Sequence, residues 1–264
     1  MDESSDFLCA TPTLASLDIR RPGRAASVAK GGRMSRPLAW RLVAPLALCA
    51  TLSACATGDA AVTLRAHGNE PFWSLEIGRV LRFSELGGRP LEGAVPEART
   101  LDGVRRYTAT VGGRLLEVAA APRVCHDDMS GMPYPLAVSV AVDGRRLQGC
   151  GGDPAVLLRG AEWVVEDIDG GGIVDRSRVT LNFRADGRLD GRASCNRYTA
   201  SYALSGEGLS VGRAASTLMA CVPALMHQER RFLDVLQGVN RFEIGETGEL
   251  RLIDASGRRI VARR

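Results

Sequence analysis

Lysine is all but missing from this chain. Lys30 is the single one among 34 basic residues in 264, so arginine carries nearly all the positive charge. We read that as a coding bias, because the arginines are scattered and form no clustered face. No run of five or more basic residues occurs, which excludes the dense cationic footprint of a nucleic-acid binder. Histidine is scarce, with three in all, and no second one lies at ligand spacing from His126. The glycines at 170–172 have neither a following helix signal nor the lysine of a phosphate loop, so that motif is excluded. Long apolar runs are missing as well. Leu42–Ala50 is about nine residues, well short of the roughly 20 that span a bilayer.

What is present is globular composition, 45% apolar and 24% charged, with room for one or two domains. Met34–Ala54 reads as a lipoprotein signal peptide. Arg36 and Arg41 form its positive region, Leu42–Ala50 its apolar region, and Leu52-Ser53-Ala54-Cys55 resembles a lipobox. The alternative is an ordinary secretory signal cleaved without lipidation; lipidation at Cys55 is the reading adopted. Acyl chains there would hold the chain to a membrane, since each buried methylene adds about 0.8 kcal/mol. Residues 1–33 precede a complete signal and are expected to be an extension, with Met34 as the true start. Ala56 rather than Asp follows the cysteine, a pattern that in lipoproteins resembles sorting to the outer membrane. Residues 1–54 carry seven basic and four acidic residues of the 34 and 30, leaving 27 and 26 beyond them. The remainder is nearly neutral, so charge names no partner.

Seven cysteines fall at 9, 49, 55, 125, 150, 195 and 221. With the leader removed and Cys55 acylated, four remain. An even number in an oxidising compartment suggests disulfides. Of the three connectivities we choose Cys125–Cys150 and Cys195–Cys221, because each pair is local and the two halves look separate. The alternative is four free buried thiols.

Residues 55–61 form a tether. From Val62 to Gly151 apolar residues alternate with polar ones, as in Trp73–Ile77, Tyr107–Val111 and Val138–Val142, which marks strands with one buried face. Turn signals separate them at Gly87-Gly88, Asp102-Gly103, Gly112-Gly113 and Asp143-Gly144. This half, 62–151, is expected to be a small antiparallel β-barrel or sandwich. A boundary falls at Gly151-Gly152-Asp153-Pro154. Strand signals resume at Trp163–Ile168 and Val179–Phe183, with Asp186-Gly187 as a hairpin signal. Apolar spacings of three and four then predict a helix over 223–237, started by Pro223 and stopped by Gly238 as a C′ residue. Leu225, Phe232, Leu233 and Leu236 should face a sheet. Strands at 241–244, 250–253 and 259–262 close a half, 157–264, that reads as an antiparallel sheet packed with one main helix. The fold class expected is β-rich α+β.

Leu158–Trp163, Thr180–Phe183, Cys195-Asn196-Arg197-Tyr198, Thr217-Leu218-Met219-Ala220-Cys221, Glu229 and Phe232 together resemble the META domain of HslJ-type bacterial heat-shock lipoproteins. Ser194 departs from that pattern, which has glycine before Cys-Asn. A glycine there would permit a positive φ. Gly68–Trp73, Cys125–Ser130, Tyr134-Pro135 and Gly149–Gly151 resemble an uncharacterised lipoprotein domain that precedes META domains. The resemblance implies β-rich envelope domains, a role in outer-membrane stress tolerance and antibiotic resistance, and no defined catalysis or ligand.

Cys125-His126-Asp127-Asp128 is the most chemical-looking string. It reads as a nucleophile beside a base or part of a metal site, against a structural disulfide with Asp127 and Asp128 capping a turn. Asn196, Arg197 and Tyr198 read as ligand contacts or, more simply, as a buried turn and its strand. Gly68–Trp73 reads as a binding lip or as core. His227 and Glu229 read as a solvated helix face. The reading adopted is a non-enzymatic, lipid-anchored outer-membrane protein that binds or stabilises an envelope protein or glycan. Asn196, Arg197, Tyr198, Asp127 and Asp128 are its candidate ligand contacts, with no cofactor, no metal and no nucleic acid. The alternatives are a periplasmic lysozyme inhibitor and, further off, a hydrolase.

Overall fold

The computed structural model describes residues 63–264 apart from Glu207. The leader, Cys55 and the tether lie outside the described residues.

The first half is a single antiparallel sheet. In chain order its strands are β1 (Leu64–Asn69), β2 (Phe72–Ile77), β3 (Leu81–Glu85), β4 (Leu91–Gly93), β5 (Arg99–Leu101), β6 (Val104–Val111) and β7 (Arg114–Ala121). A two-stranded ribbon follows, β8 (Cys125–His126) with β9 (Pro133–Tyr134). Then come β10 (Leu136–Val142) and β11 (Arg145–Gly151). The sheet runs β4-β3-β2-β1-β11-β10-β7-β6-β5, so β11 returns to lie beside β1 and the sheet curls into a half-barrel. The alternation explains the curl. Tyr107, Val118, Val140 and Leu147 stand opposite one another across β6, β7, β10 and β11 and are all buried. With Trp73, Leu75, Ile77, Leu81 and Phe83 they make one apolar core, each large side chain contributing roughly 1.5–3 kcal/mol. Tight turns set the register. Asp102-Gly103, Gly112-Gly113 and Asp143-Gly144 all have positive φ at both residues, the twist that suits two-residue hairpins.

The second half opens with one helical turn, α1 (Ala155–Leu158). Then follow β12 (Trp163–Ile168), β13 (Thr180–Phe183), β14 (Arg188–Arg192), β15 (Arg197–Ser205), β16 (Gly208–Val211), β17 (Ala215–Ser216), α2 (Pro223–Gly238), β18 (Val239–Ile244), β19 (Leu250–Asp254) and β20 (Arg259–Arg263). The order β16-β15-β14-β13-β12-β20-β19-β18, with β17 on β15, bends into a nearly closed barrel. A Cβ at Gly208 would strike the carbonyl of Asn240, so the two ends of the sheet meet there. Phe183, Leu189, Tyr198, Phe232, Leu236, Phe242 and Leu252 share the core. Asp186-Gly187 lies in a four-residue connection between β13 and β14 rather than a two-residue turn; Gly187 alone of the pair has positive φ.

Two expectations on α2 are corrected. Gly238 is the helix's last residue, and Val239 caps it in an extended conformation. The absence of a side chain at 238 instead lets Asp254 approach, 3.3 Å from where a Cβ would sit. The buried face is Gln228, Glu229, Phe232, Val235 and Leu236, with Leu225 and Leu233 half-buried. The buried face keeps Phe232 and Leu236 but is turned from Leu233 toward Gln228 and Val235, and it carries two polar side chains inward.

The halves are not independent. Met132 belongs to the second core although it precedes β9, and Tyr134 packs against that core. The β8–β9 ribbon thus pins one sheet to the other.

Candidate functional site

Two segments about sixty residues apart meet at one edge of the half-barrel. On β1 the alternation turns Leu64 and Ala66 inward and leaves His67 and Asn69 half-buried. Residues 125–128 alternate too: Cys125 half-buried, His126 exposed, Asp127 only 7% exposed, Asp128 exposed. The Cys125–Cys150 disulfide, Cα–Cα 5.5 Å, ties the ribbon to β11, and His67 lies opposite Cys150 across β1 and β11. Gly149 lets the strands approach, because a Cβ there would strike the His67 carbonyl and the Trp73 ring. The result is a cleft of about 410 Å³ lined by His67, Asn69, Glu70, Asp127, Asp128 and Gln148, among others.

Asp127 organises the cleft. One oxygen meets His67 Nε2 at 2.9 Å and accepts from Asn69 Nδ2 at 3.1 Å. The other accepts from the main-chain N–H groups of Met129 and Ser130 and from the Ser130 hydroxyl, at 3.0, 2.8 and 3.0 Å. This is an Asx turn with a second face turned toward the cleft. Burial pushes the Asp127 carboxyl upward, but the donors from Ser130, Asn69 and His67 outweigh it and hold the group well below the usual carboxylate range. The amide of Asn69 also reaches Asp128. Tyr134 packs edge-on against His67, ring centroids 5.0 Å apart. Burial first, and the charge of Asp127 second, raise its phenol pKa.

Cys125 is consumed by its disulfide, which removes the nucleophile from the Cys-His string. Among the described residues no group of three or more His, Cys, Asp or Glu is placed to hold a metal ion. What remains is a histidine, an amide and carboxylates, a set suited to hold a polar ligand by hydrogen bonds.

Of the other candidate residues, Asn196 and Tyr198 serve the fold. Asn196 is buried beneath the 217–221 segment: its side-chain oxygen accepts from Thr217 Oγ1 and Met219 N at 2.8 and 2.7 Å, and its Nδ2 donates to Glu229 Oε1 at 2.9 Å and Met219 O at 3.3 Å. Tyr198 is buried, donates its hydroxyl to Thr180 O at 2.9 Å and packs on Phe232. Burial above all raises its pKa. Arg197 alone of the three is exposed. Cys195–Cys221 joins the hairpin tip to the entry of α2, Cα–Cα 6.0 Å. His227 is exposed, but Glu229 is a correction. It is 6% exposed and accepts from both the main-chain and side-chain nitrogen of Asn196. Ser194 has φ +98°, the backbone angle that a glycine at this position would favour.

His67 escaped sequence reading. It belongs to no motif, and its partner becomes visible only once the β1–β11 register and the disulfide are known.

Residues 156–264 match the family model described as META domain. The C-terminal half is thus a META domain, preceded by a half-barrel that carries the cleft. No curated protein matches the chain. Two solved structures are similar to part of it. One is an NMR structure of a protein from Burkholderia xenovorans, 26% identical, covering 42% of this chain and 88% of that one with a TM-score of 0.35. The other is also an NMR structure, 21% identical, covering 40% and 90% with a TM-score of 0.34.

Proposed function

We propose that this protein is a non-catalytic bacterial envelope lipoprotein, anchored in the outer membrane through Cys55. In this reading it binds a polar cell-wall glycan in the His67–Asp127 cleft, supporting tolerance of envelope stress. The observation that carries the binding reading is the convergence of Gly68–Glu70 with Cys125–Asp128 in one cleft. Amide, imidazole and carboxylate side chains together match the hydroxyl and acetamido groups of an amino sugar. Phe72, half-exposed beside the same β1–β2 turn, offers a ring for a sugar's apolar face. Two disulfides support an oxidising compartment, the lipobox-like Leu52–Cys55 supports the anchor, and the META resemblance supports the stress role.

The test is an NMR titration of the protein with soluble peptidoglycan fragments. Shifts should cluster at His67, Asn69 and Asp128 and vanish in His67→Ala and Asp128→Asn, both read alongside a folded spectrum. No shifts at millimolar fragment would overturn the glycan reading. The anchor is tested separately, by loss of membrane fractionation in Cys55→Ser.

A further inference from the structure

The 217–224 segment of the META domain is apolar, exposed and held rigid. Leu218 is 95% exposed, Met219 55% and Val222 62%, and Ala220, Pro223 and Ala224 are exposed beside them. Residues 218–222 have no helix or strand of their own. They are fixed from below by the Cys195–Cys221 disulfide and by three Asn196 hydrogen bonds to Thr217 and Met219. Six apolar side chains in solvent gain nothing from burial within the fold, yet those side-chain hydrogen bonds and a disulfide are committed to holding them there. Exposed apolar surface that is rigid and localised marks a surface meant to be covered.

What stands beside it identifies the cover. Thr217 N donates to Arg197 O, and Arg197 N donates to Thr217 Oγ1, so Arg197 adjoins the loop. Arg192 lies directly opposite Arg197 across β14 and β15, which puts both side chains on one face. Both are exposed. Nearby, Arg178 before β13, Arg184 in the β13–β14 connection and Arg188 on β14 pair with Glu162, Asp190 and Asp186. Among the described residues no carboxylate pairs with Arg192 or Arg197. Two like charges set opposite each other without a counter-ion are unfavourable in the isolated fold. An apolar tip flanked by unpaired arginines complements one surface in particular. Acyl chains accept the tip while anionic headgroups accept the guanidinium groups.

We infer that Leu218, Met219 and Val222 form a bilayer-dipping tip, with Arg192 and Arg197 seated on anionic phospholipid headgroups. This contact is separate from the glycan cleft and from acylation at Cys55, so it stands or falls without them.

The test uses vesicles of phosphatidylglycerol and phosphatidylethanolamine with the full chain carrying Cys55→Ser, so that acylation contributes nothing. Against that parent, Arg192→Gln and Arg197→Gln should each weaken vesicle binding about fivefold at low salt. Leu218→Ser with Met219→Ser should weaken it about tenfold or more. Binding to phosphatidylcholine vesicles should be weak throughout. Position is read separately in the acylated protein. A Leu218→Trp variant should be quenched by brominated acyl chains, and Leu86→Trp, replacing an exposed leucine of the half-barrel (81% exposed), should not. Equal quenching at both positions, or variants that bind like the parent, would overturn the inference. So would indole emission from the Leu218→Trp variant that is already blue-shifted without lipid and unquenched by it. That result would mean that another protein, or a second copy of this one, covers the loop.

Discussion

Glu229 reaches from α2 to Asn196 and accepts both its main-chain N–H, at 2.7 Å, and its side-chain N–H, at 2.9 Å. The helix is thereby bound to the hairpin that carries Cys195. The other hydrogen-bonding positions of Asn196 are filled by Thr217 and Met219, so the amide has no capacity left over. One buried carboxylate and one buried amide decide how the helix, the hairpin and the 217–221 loop sit together.

Glu229→Ala should therefore destabilise the protein by about 2–4 kcal/mol, because two buried donors lose a charged acceptor at once. Glu229→Gln keeps one acceptor and should cost less. Urea denaturation of both variants and of Asn196→Ala, combined as a double-mutant cycle, should give a coupling energy above about 1 kcal/mol. Additive effects would mean the pair is incidental.

The disulfides close loops with sequence separations of 25 and 26. On the chain-entropy account each is worth roughly 3–4 kcal/mol. Thiol titration of unfolded, unreduced protein should find Cys125, Cys150, Cys195 and Cys221 all blocked. Replacing either pair by serine should lower the urea midpoint. Removing Cys195–Cys221 should also loosen the 217–222 loop, seen as faster amide exchange there and not in the half-barrel.

Ser194 holds φ +98° while its hydroxyl accepts from Gln228 Nε2 at 3.0 Å. Ser194→Ala and Ser194→Gly both lose that bond, so their difference reports the backbone alone. Glycine should be the more stable of the two by about 1 kcal/mol, despite the larger entropy of its unfolded chain. Equal stabilities would mean the local backbone relaxes to negative φ.

How far the sequence carried these conclusions differs by element. Strands with one buried face, such as Val138–Val142, announce themselves by alternation, and Asp143-Gly144 announces its own turn. Helix α2 was legible because Phe232 and Leu236 recur at helical spacing, and Cys195 and Cys221 because so few partners were available to them. Glu229 was misread for a physical reason. A carboxylate on a helix faces water by default, and only a specific buried partner makes burial tolerable. Asn196 stands 33 residues away on another element. Asp127 stood among the candidate contacts, but its pairing with His67, 60 residues away, was out of reach for the same reason. Non-local polar pairing leaves no periodicity behind.

Acid should expose the buried carboxylates. Asp254 is buried, which by itself raises its pKa, yet donors from Ser256 and Arg258 bring it down to about 2. The Thr247 hydroxyl first, with Arg251 adding to it, likewise lowers Glu249 to about 2. Asp127 is shifted in the same direction. Each carboxyl has a folded pKa below its unfolded value of roughly 4, so the unfolded chain binds protons first as pH falls. The stabilisation is fully present above pH ~4 and is lost between about 4 and 2. Stability measured by urea midpoint should be nearly flat from pH 7 down to about 5 and then drop. Asp254→Asn and Asp127→Asn should each be less stable than the parent at pH 7 and should lose less on acidification. Their curves should close on the parent's as the pH falls through about 2, with Asp127→Asn converging at the lower pH. Parallel curves would mean that these hydrogen bonds do not favour the ionised form.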